Sequence, residues 1–161
     1  MKKTFLLIFL FSNLTFGQYN GEIILNKNVT LKWEIKNFEK TKHTFEYCKL
    51  NDWKYICKID NQDWFGSDFG MEFPKNELTK LSLIIGTENY DLETSKMYNP
   101  NFSGYLSSNQ FKLVDKGNYK ILYSFYSDGA GSYSAHWKIE NGKAERIILS
   151  RDEIYFEWQN E

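Results

Sequence analysis

The chain has 161 residues with 20 basic and 21 acidic side chains, so its net charge is close to zero. This length suits one domain, and the lysines alternate with acidic and aromatic residues rather than forming the basic stripe of a nucleic-acid-binding protein. Aromatic residues make up 18% of the chain. Because aromatic side chains favour strands and bury large areas, we expect most of them to fill a β-sheet core. The remainder would be exposed, where they could stack on sugars or anchor a protein partner.

Residues 1–17 have the pattern of a cleaved secretory signal peptide, with two early lysines, the apolar run Phe5–Phe11 and a predicted cut between Gly17 and Gln18. The apolar run is shorter than the roughly 20 residues of a membrane-spanning helix, and no cysteine lies near the cut to carry a lipid. Removing the two lysines leaves 18 basic against 21 acidic residues, a net charge of −3. We therefore expect a bacterial periplasmic or secreted protein that is not inserted in the membrane, with one all-β domain over residues 18–161.

Alternating apolar and polar residues predict the first strands. Ile23–Leu25 is a short strand, and Val29–Lys36 is a longer one whose odd-numbered residues face the core. Thr44–Leu50 and Trp53–Ile59 then form a hairpin around a turn at Asn51-Asp52.

Cys48 and Cys57 lie on the two strands of this hairpin and are the only cysteines of the chain. In an exported protein this arrangement predicts a disulfide. A strict two-residue turn would pair Cys48 with Tyr55, so we expect a turn centred one residue later or a four-residue loop. The short closed loop limits the stabilisation to about 2–3 kcal/mol. Metal binding by the pair is not expected, because no histidine lies at ligand spacing from both cysteines.

The stretch Asp60–Pro74 is predicted to be rich in loops. Its acids suggest either a calcium cage or turns in which Asp and Asn cap their own backbone, and the absence of EF-hand spacing favours the turns. Further strands are expected at Lys80–Gly86, with a continuation after a turn, and at Gln110–Val114. The intervening loop Ser95–Gly104 contains three apolar residues that either fold onto the core or are displayed to a ligand: Met97, Tyr98 and Phe102.

Residues Tyr119–Ser150 predict a three-stranded meander. Tyr133, Ala135, Trp137 and Ile139 share one face of its middle strand. An Asn141-Gly142 turn joins this strand to the next, and the glycine-containing loop Ser127–Ser132 precedes it. Two glycines in three residues allow positive φ and close approach by another molecule, so this loop is either a tight turn or a contact surface.

The C-terminal stretch Ser150–Trp158 combines a capping-box pattern with strand-like alternation, and we expect one helical turn followed by an extended tail. Short strands at roughly ten-residue spacing predict an all-β, single-domain antiparallel sandwich or small barrel of about 8–10 strands. A short C-terminal helical turn completes the predicted fold.

Enzymatic activity is not the favoured interpretation, because the chain lacks a recognisable catalytic motif. His136 is a candidate base near Ser132 and Ser134, but it alternates with the apolar face and is expected at the surface, and no Gly-x-Ser-x-Gly elbow is present. A glycosidase-type carboxylate pair stays open as an alternative. Its candidates are Asp60, Asp63, Asp68, Glu72, Asp128, Asp152 and Glu153. No metal site and no cofactor are predicted.

The segment Tyr126–Ser134 resembles the Ser/Gly/Tyr-rich loops of bacterial periplasmic lysozyme inhibitors, small exported β proteins that insert such a loop into the cleft of the enzyme. The resemblance covers nine residues and implies an inhibitor or immunity-type function. A glycine loop approaches a partner closely, a carboxylate pairs with a basic target, and a tyrosine is a low-entropy anchor. The predicted contact residues are Asp128, Gly129, Gly131, Ser132 and Tyr133.

The first functional hypothesis is therefore a non-catalytic exported protein that binds another macromolecule through this loop. The partner would be a protein or a cell-wall or extracellular glycan. The second hypothesis is a glycan-binding module that uses exposed Trp53, Trp64 or Tyr98. The third is a small hydrolase that uses carboxylates.

Overall fold

The computed structural model describes residues 18–67, 70–101 and 103–160. The predicted signal peptide and its cut site, Asp68 and Phe102 lie outside the described residues. Among the residues described, no helix is both long enough and apolar enough to cross a membrane.

The described residues form eleven strands in three antiparallel sheets. The first sheet has the order β1-β2-β6-β7, with β1 at Gln18–Asn26, β2 at Val29–Asn37, β6 at Asn76–Ile85 and β7 at Glu88–Leu92. The second has the order β11-β10-β9-β8, with β8 at Phe111–Asp115, β9 at Lys120–Tyr126, β10 at Tyr133–Glu140 and β11 at Lys143–Ser150. The small sheet has the order β3-β4-β5, with β3 at Phe45–Leu50, β4 at Trp53–Ile59 and β5 at Gln62–Asp63.

Four 3₁₀ helices complete the described secondary structure, at Lys40–Lys42, Ser108–Gln110, Gly129–Gly131 and Glu153–Asn160. The last of these is called the C-terminal helix below.

The first and second sheets pack face to face as a sandwich. Alternate residues of β2, from Val29 to Ile35, are buried, as the period-two pattern predicts. They share one apolar core with Leu122 and Trp137 of the second sheet. Fully burying one such side chain contributes about 1.5–3 kcal/mol. Both sheets are open, so the structure confirms the predicted all-β sandwich and not the alternative of a barrel.

The small sheet packs at one end of the sandwich over a second apolar cluster, formed by Ile56, Ile59, Trp64 and Tyr98. This end also carries the Ser127–Ser132 loop, because Gly66 N donates a hydrogen bond to Gly131 O at 2.9 Å. The opposite end of the sandwich carries the turn at Asn141-Gly142, where Glu140 pairs with Lys143 as predicted.

The C-terminal helix covers the outer face of the second sheet. Trp158 is buried, and its ring lies 6.0 Å from that of Tyr123 and 6.2 Å from that of Phe125. The predicted helical turn is present, but it continues to Asn160 rather than giving way to an extended tail. The outer face of the second sheet is therefore packed around Tyr123, Phe125 and His136, where alternation predicted a solvated surface.

Candidate binding surface

The Ser127–Ser132 loop is fixed at both ends and exposed in its middle. Ser127 adopts φ +65° and donates its N–H to Pro100 O at 3.1 Å. Gly131 is buried, and a Cβ added there would lie 2.7 Å from Ser67 N. Asp128, Gly129 and Ala130 are exposed, whereas Ser132 is half-buried. The loop is thus a tight turn held by contacts at both ends, and only three of its residues are fully exposed to solvent.

Tyr133 has no exposed surface, so the expectation that it anchors a partner is wrong. Its hydroxyl donates to Tyr98 O at 2.8 Å, and its ring stacks on Tyr126 at 5.3 Å between ring centres. Burial strongly raises the pKa of the Tyr133 phenol. The side chain points inward because it belongs to the same face of β10 as Ala135 and Trp137. Gly131 is likewise buried against the neighbouring loop and offers no contact surface.

The predicted disulfide between Cys48 and Cys57 is present, with the Cα atoms 5.6 Å apart. The turn has two residues, because Leu50 pairs with Trp53 and Cys48 pairs with Tyr55. The expected longer or displaced turn is therefore wrong. A β-bulge brings the two cysteines together instead. Tyr47 pairs with Ile56 and Glu46 pairs with Lys58, so Cys57 is the extra residue of the bulge and turns toward Cys48.

The far half of this hairpin projects from the body and displays apolar side chains. All residues from Lys49 to Lys54 are exposed. Leu50 is 67% exposed and Trp53 is 64% exposed, and the two are direct cross-strand partners on one face. On the other face Tyr47 is half-exposed under the ammonium group of Lys54, which lies 4.2 Å from its ring centre. These four residues are called the hairpin tip below.

Of the three aromatic residues proposed for glycan stacking, only Trp53 is accessible. Trp64 is 6% exposed and Tyr98 is 3% exposed, because both belong to the apolar cluster under the small sheet. The expectation that they form a stacking platform is therefore wrong. Met97 is also buried, so the described part of the Ser95–Gly104 loop folds onto the core at this residue.

A cavity of about 380 Å³ lies beside the hairpin. Its lining residues come from the hairpin, from the chain after β4 and from the residue after β11: Leu50, Tyr55, Ile56, Cys57, Asp63, Trp64, Ser67, Gly70 and Arg151. Ser67 also contacts the Ser127–Ser132 loop through Gly131. The hairpin tip, the cavity and the exposed part of the loop are therefore neighbours at one end of the molecule.

His136 is buried, so its predicted surface position is wrong. The C-terminal helix covers it, and Tyr155 O lies 3.1 Å from His136 Nε2. Ser134 Oγ is 2.9 Å from the same nitrogen. A carbonyl only accepts hydrogen bonds, so a hydrogen bond to Tyr155 O requires the proton on Nε2, and in that tautomer Nε2 cannot take a proton from Ser134. The pair resembles a catalytic dyad in distance, but both side chains are buried, with His136 6% exposed and Ser134 0% exposed.

Sequence reasoning missed a polar cluster that joins the small sheet to the first sheet. His43 Nδ1 lies 2.7 Å from Asp60 Oδ2, and His43 Nε2 lies 3.7 Å from Glu77 Oε2. Tyr98 donates to Asp60 at 3.1 Å, and the Phe38 ring stacks on the imidazole. The four polar residues of this cluster are distant in sequence, so no local spacing could have revealed them.

The pKa values of the cluster follow from burial and hydrogen bonding. Burial raises the pKa of Glu77, whereas hydrogen bonds from His43, Thr44 and Tyr98 together outweigh burial and lower the pKa of Asp60. Burial, followed by the nearby charge of Asp60, raises the pKa of the Tyr98 phenol. The polar side chains of the cluster therefore serve as hydrogen-bond and ion-pair partners for one another, and they connect the small sheet to the first sheet.

Among the remaining predicted polar residues, Asp68 lies outside the described part of the chain. The carboxylate of Asp60, a candidate for calcium binding, is hydrogen-bonded to the side chain of His43 and to the backbone N–H of Thr44. Over residues 18–67, 70–101 and 103–160, no group of three or more His, Cys, Asp or Glu side chains could hold a metal ion.

The comparisons with known proteins identify no relative of this chain: no family model, no curated protein and no solved structure matches it. The structure alone therefore supports the functional argument.

Proposed function

We propose that this protein is a non-catalytic binding protein that contacts another macromolecule through the hairpin tip. The observation that carries the proposal is the exposure of Leu50 and Trp53 as a cross-strand pair at the end of a disulfide-closed hairpin. Folding alone does not explain this pair, because neither side chain contributes to the described cores. Tryptophan is enriched among the residues that dominate binding energy at interfaces.

The disulfide favours binding by keeping the hairpin in one conformation before contact. A flexible loop loses conformational entropy when it binds, and a cross-link removes part of that cost in advance. The bridge joins the strands two residues before Leu50 and four residues after Trp53. Leu50 and Trp53 thus lie inside the short loop that the disulfide closes.

The neighbouring Ser127–Ser132 loop is the second part of the proposed contact. Its exposed residues Asp128, Gly129 and Ala130 offer one charge and a backbone that a partner can approach closely. This assignment revises the predicted contact, because the anchor role passes from buried Tyr133 to exposed Trp53. Of the functions that such binding could serve, we favour that of an inhibitor or an immunity-type factor.

The proposed location is extracellular or periplasmic, after removal of residues 1–17. A disulfide is compatible with an extracellular protein, because such bonds persist in oxidising compartments.

A capture experiment with matched variants tests this function. The wild type, a Leu50→Ser/Trp53→Ser variant and an Ile24→Ser/Ile147→Ser control would be immobilised and exposed to envelope and culture-medium fractions of the producing cells. Ile24 and Ile147 are exposed apolar residues of the two large sheets. We expect a protein that the wild type and the control retain and the hairpin variant loses, and that binds again when both components are purified. Equal retention by all three forms would overturn the proposal.

Glycan binding is the second candidate, and the exposed Trp53 ring favours it. Affinity electrophoresis on a polysaccharide panel would distinguish it from protein binding. Retardation of the wild type that disappears in Trp53→Ala would identify a glycan partner. Normal mobility in every lane would exclude the glycan candidate for the polysaccharides tested.

A further inference from the structure

Two tyrosine rings are exposed side by side where the edge of the first sheet meets the loop that leads to β8. Tyr19 of β1 is 36% exposed, and Tyr105 of the loop is 57% exposed. Their ring centres lie 5.5 Å apart, and the ring planes are inclined by 68°. The two rings, called the tyrosine pair below, therefore form an open aromatic corner at the surface.

The tyrosine pair is held in place by its neighbours. The Tyr105 ring packs edge to face on buried Trp33, with 6.2 Å between ring centres. Gly104 lies against the Tyr19 ring, because a Cβ added to this glycine would be 3.3 Å from Tyr19 Cδ2. Covering Trp33 accounts for the buried part of Tyr105 but not for the larger part that faces solvent. Rings that are fixed in advance lose little conformational entropy when a ligand binds.

Uncharged hydrogen-bonding groups lie close to the rings. The short helix Ser108–Gln110 packs against β1, the strand that carries Tyr19. The side-chain oxygens of Asn101 and Asn109 accept hydrogen bonds from neighbouring serines. Within the described part of the chain, neither Nδ2 group and neither phenol of the tyrosine pair has a hydrogen-bond partner. These groups are available to a ligand that both donates and accepts hydrogen bonds.

The loop that carries Tyr105 is also free of charge. The run from Met97 to Phe111 contains no acidic or basic residue, although 25% of the chain is charged. An ionic ligand would meet no counter-charge from this loop. The surface therefore favours a neutral ligand that combines hydroxyl groups with an apolar face, which is the chemistry of a sugar ring.

A protein partner fits this surface less well. The cores of protein interfaces are rich in aromatic residues, methionine and arginine and poor in serine. The exposed polar side chains beside the tyrosine pair are instead serine and asparagine, and the nearby aliphatic residue Leu106 is buried.

We propose that the tyrosine pair binds a neutral oligosaccharide, with a pyranose ring stacked on Tyr105 and sugar hydroxyl groups hydrogen-bonded to the side chains of the surrounding loop. The inference does not rest on the proposed contact at the hairpin tip, because the two surfaces share no residue. They lie at the same end of the sandwich, since Ser127 N donates to Pro100 O in the loop before Tyr105.

NMR titration with defined oligosaccharides tests the proposal. The neutral probes are cellohexaose, laminarihexaose, xylohexaose, mannohexaose and chitohexaose, and the galacturonic acid hexamer is the acidic comparator. Loss of one set of tyrosine ring signals in Tyr19→Phe and in Tyr105→Phe assigns the two rings. We expect at least one neutral probe to shift both sets of signals saturably and the acidic hexamer to shift neither. These shifts in the wild type test the site even if a variant fails to fold.

Four variants complete the test with the neutral probe that binds. Tyr105→Ala should weaken binding by about fivefold or more, whereas Tyr105→Phe keeps the ring and should stay within about twofold of the wild type. Tyr47→Ala, at a similarly exposed tyrosine of the hairpin, and Trp53→Ala should leave the affinity unchanged.

Four results would overturn the proposal. The first is no saturable shift with any neutral probe, and the second is equal binding of the acidic hexamer. The third is unchanged affinity in Tyr105→Ala. The fourth is loss of binding in Trp53→Ala, which would assign the glycan to the hairpin tip. If no probe binds and a protein partner is lost in Tyr105→Ala, the tyrosine pair belongs to a protein contact instead.

Discussion

His136 shows how a residue on the outer face of a sheet becomes buried through a contact remote in sequence. It alternates with core residues along β10, yet Tyr155 and the C-terminal helix cover it. Burial lowers the pKa of His136, an effect that the hydrogen bond to Tyr155 O only partly opposes. The folded protein therefore holds this imidazole neutral more strongly than the unfolded chain does.

The lowered pKa makes stability depend on pH in a defined direction. The contribution of His136 is complete above the unfolded pKa of about 6.5 and is lost as the pH falls through the folded value. We expect the free energy of unfolding to fall between pH 7.5 and pH 5.5 more steeply in the wild type than in His136→Phe. Urea unfolding at each pH, followed by circular dichroism, measures the difference. Parallel pH profiles would show that His136 is not held neutral.

Gly131 fixes the Ser127–Ser132 loop against the chain at Gly66 and Ser67. A methyl group at this position would meet backbone atoms at 2.7–3.1 Å, and backbone cannot move aside as a flexible side chain does. We expect Gly131→Ala to lower the free energy of unfolding by about 1–3 kcal/mol. The exposed neighbour variant Ala130→Ser should change it by less than about 0.5 kcal/mol. Equal thermal-melting temperatures for both variants would contradict the close contact.

At the scale of elements, the outer half of the disulfide hairpin is closed covalently but lies outside the described apolar cores. The exposed run from Lys49 to Lys54 contacts the described cores little, whereas Ile56 and Ile59 hold the base of the hairpin in the second cluster. The bridge should therefore stabilise mainly the hairpin itself.

Replacing both cysteines tests this local role. In Cys48→Ser/Cys57→Ser we expect the opening free energy of β3 and β4 to fall by about 2–3 kcal/mol. Hydrogen exchange read by mass spectrometry should show faster exchange in peptides covering residues 44–59 and unchanged exchange in β9 and β10. An equal loss of protection in all three sheets would show that the hairpin is part of the global folding unit.

Elements whose signals are local could be predicted from the sequence. The period-two pattern located the buried face of β2, and Asn141-Gly142 located the turn between β10 and β11. The spacing of Cys48 and Cys57 indicated their bridge, although the bulge that permits it has no sequence signature.

The predictions that the structure contradicts concern residues whose burial depends on contacts between segments distant in sequence. The burial of His136 depends on a helix about twenty residues away, and the cluster around His43 joins residues from four parts of the chain. Tyr133 directly follows the Ser127–Ser132 loop in sequence, but its position on the core face of β10 determines where its side chain points. Trp53 and Trp64 have similar local sequence contexts, and only packing makes one exposed and the other buried.

At the scale of the whole molecule, the candidate surfaces lie at one end of the sandwich. The hairpin tip, the cavity and the exposed part of the Ser127–Ser132 loop are joined there through Ser67 and Leu50. The opposite end consists of turns, including Gly117-Asn118 between β8 and β9. Because the candidate surfaces occupy only one end of the sandwich, we expect the partner to contact that end.

Site-specific photo-cross-linking in the producing cells measures that location most directly. A benzophenone side chain would replace Asp52 in the hairpin turn in one form and Asn118 at the far end in another, since both positions are exposed. We predict a covalent adduct with a partner from position 52 and none from position 118, with loss of the adduct when Leu50→Ser and Trp53→Ser are added. An adduct from position 118 alone, or one from position 52 that survives both substitutions, would contradict the hairpin as the binding element.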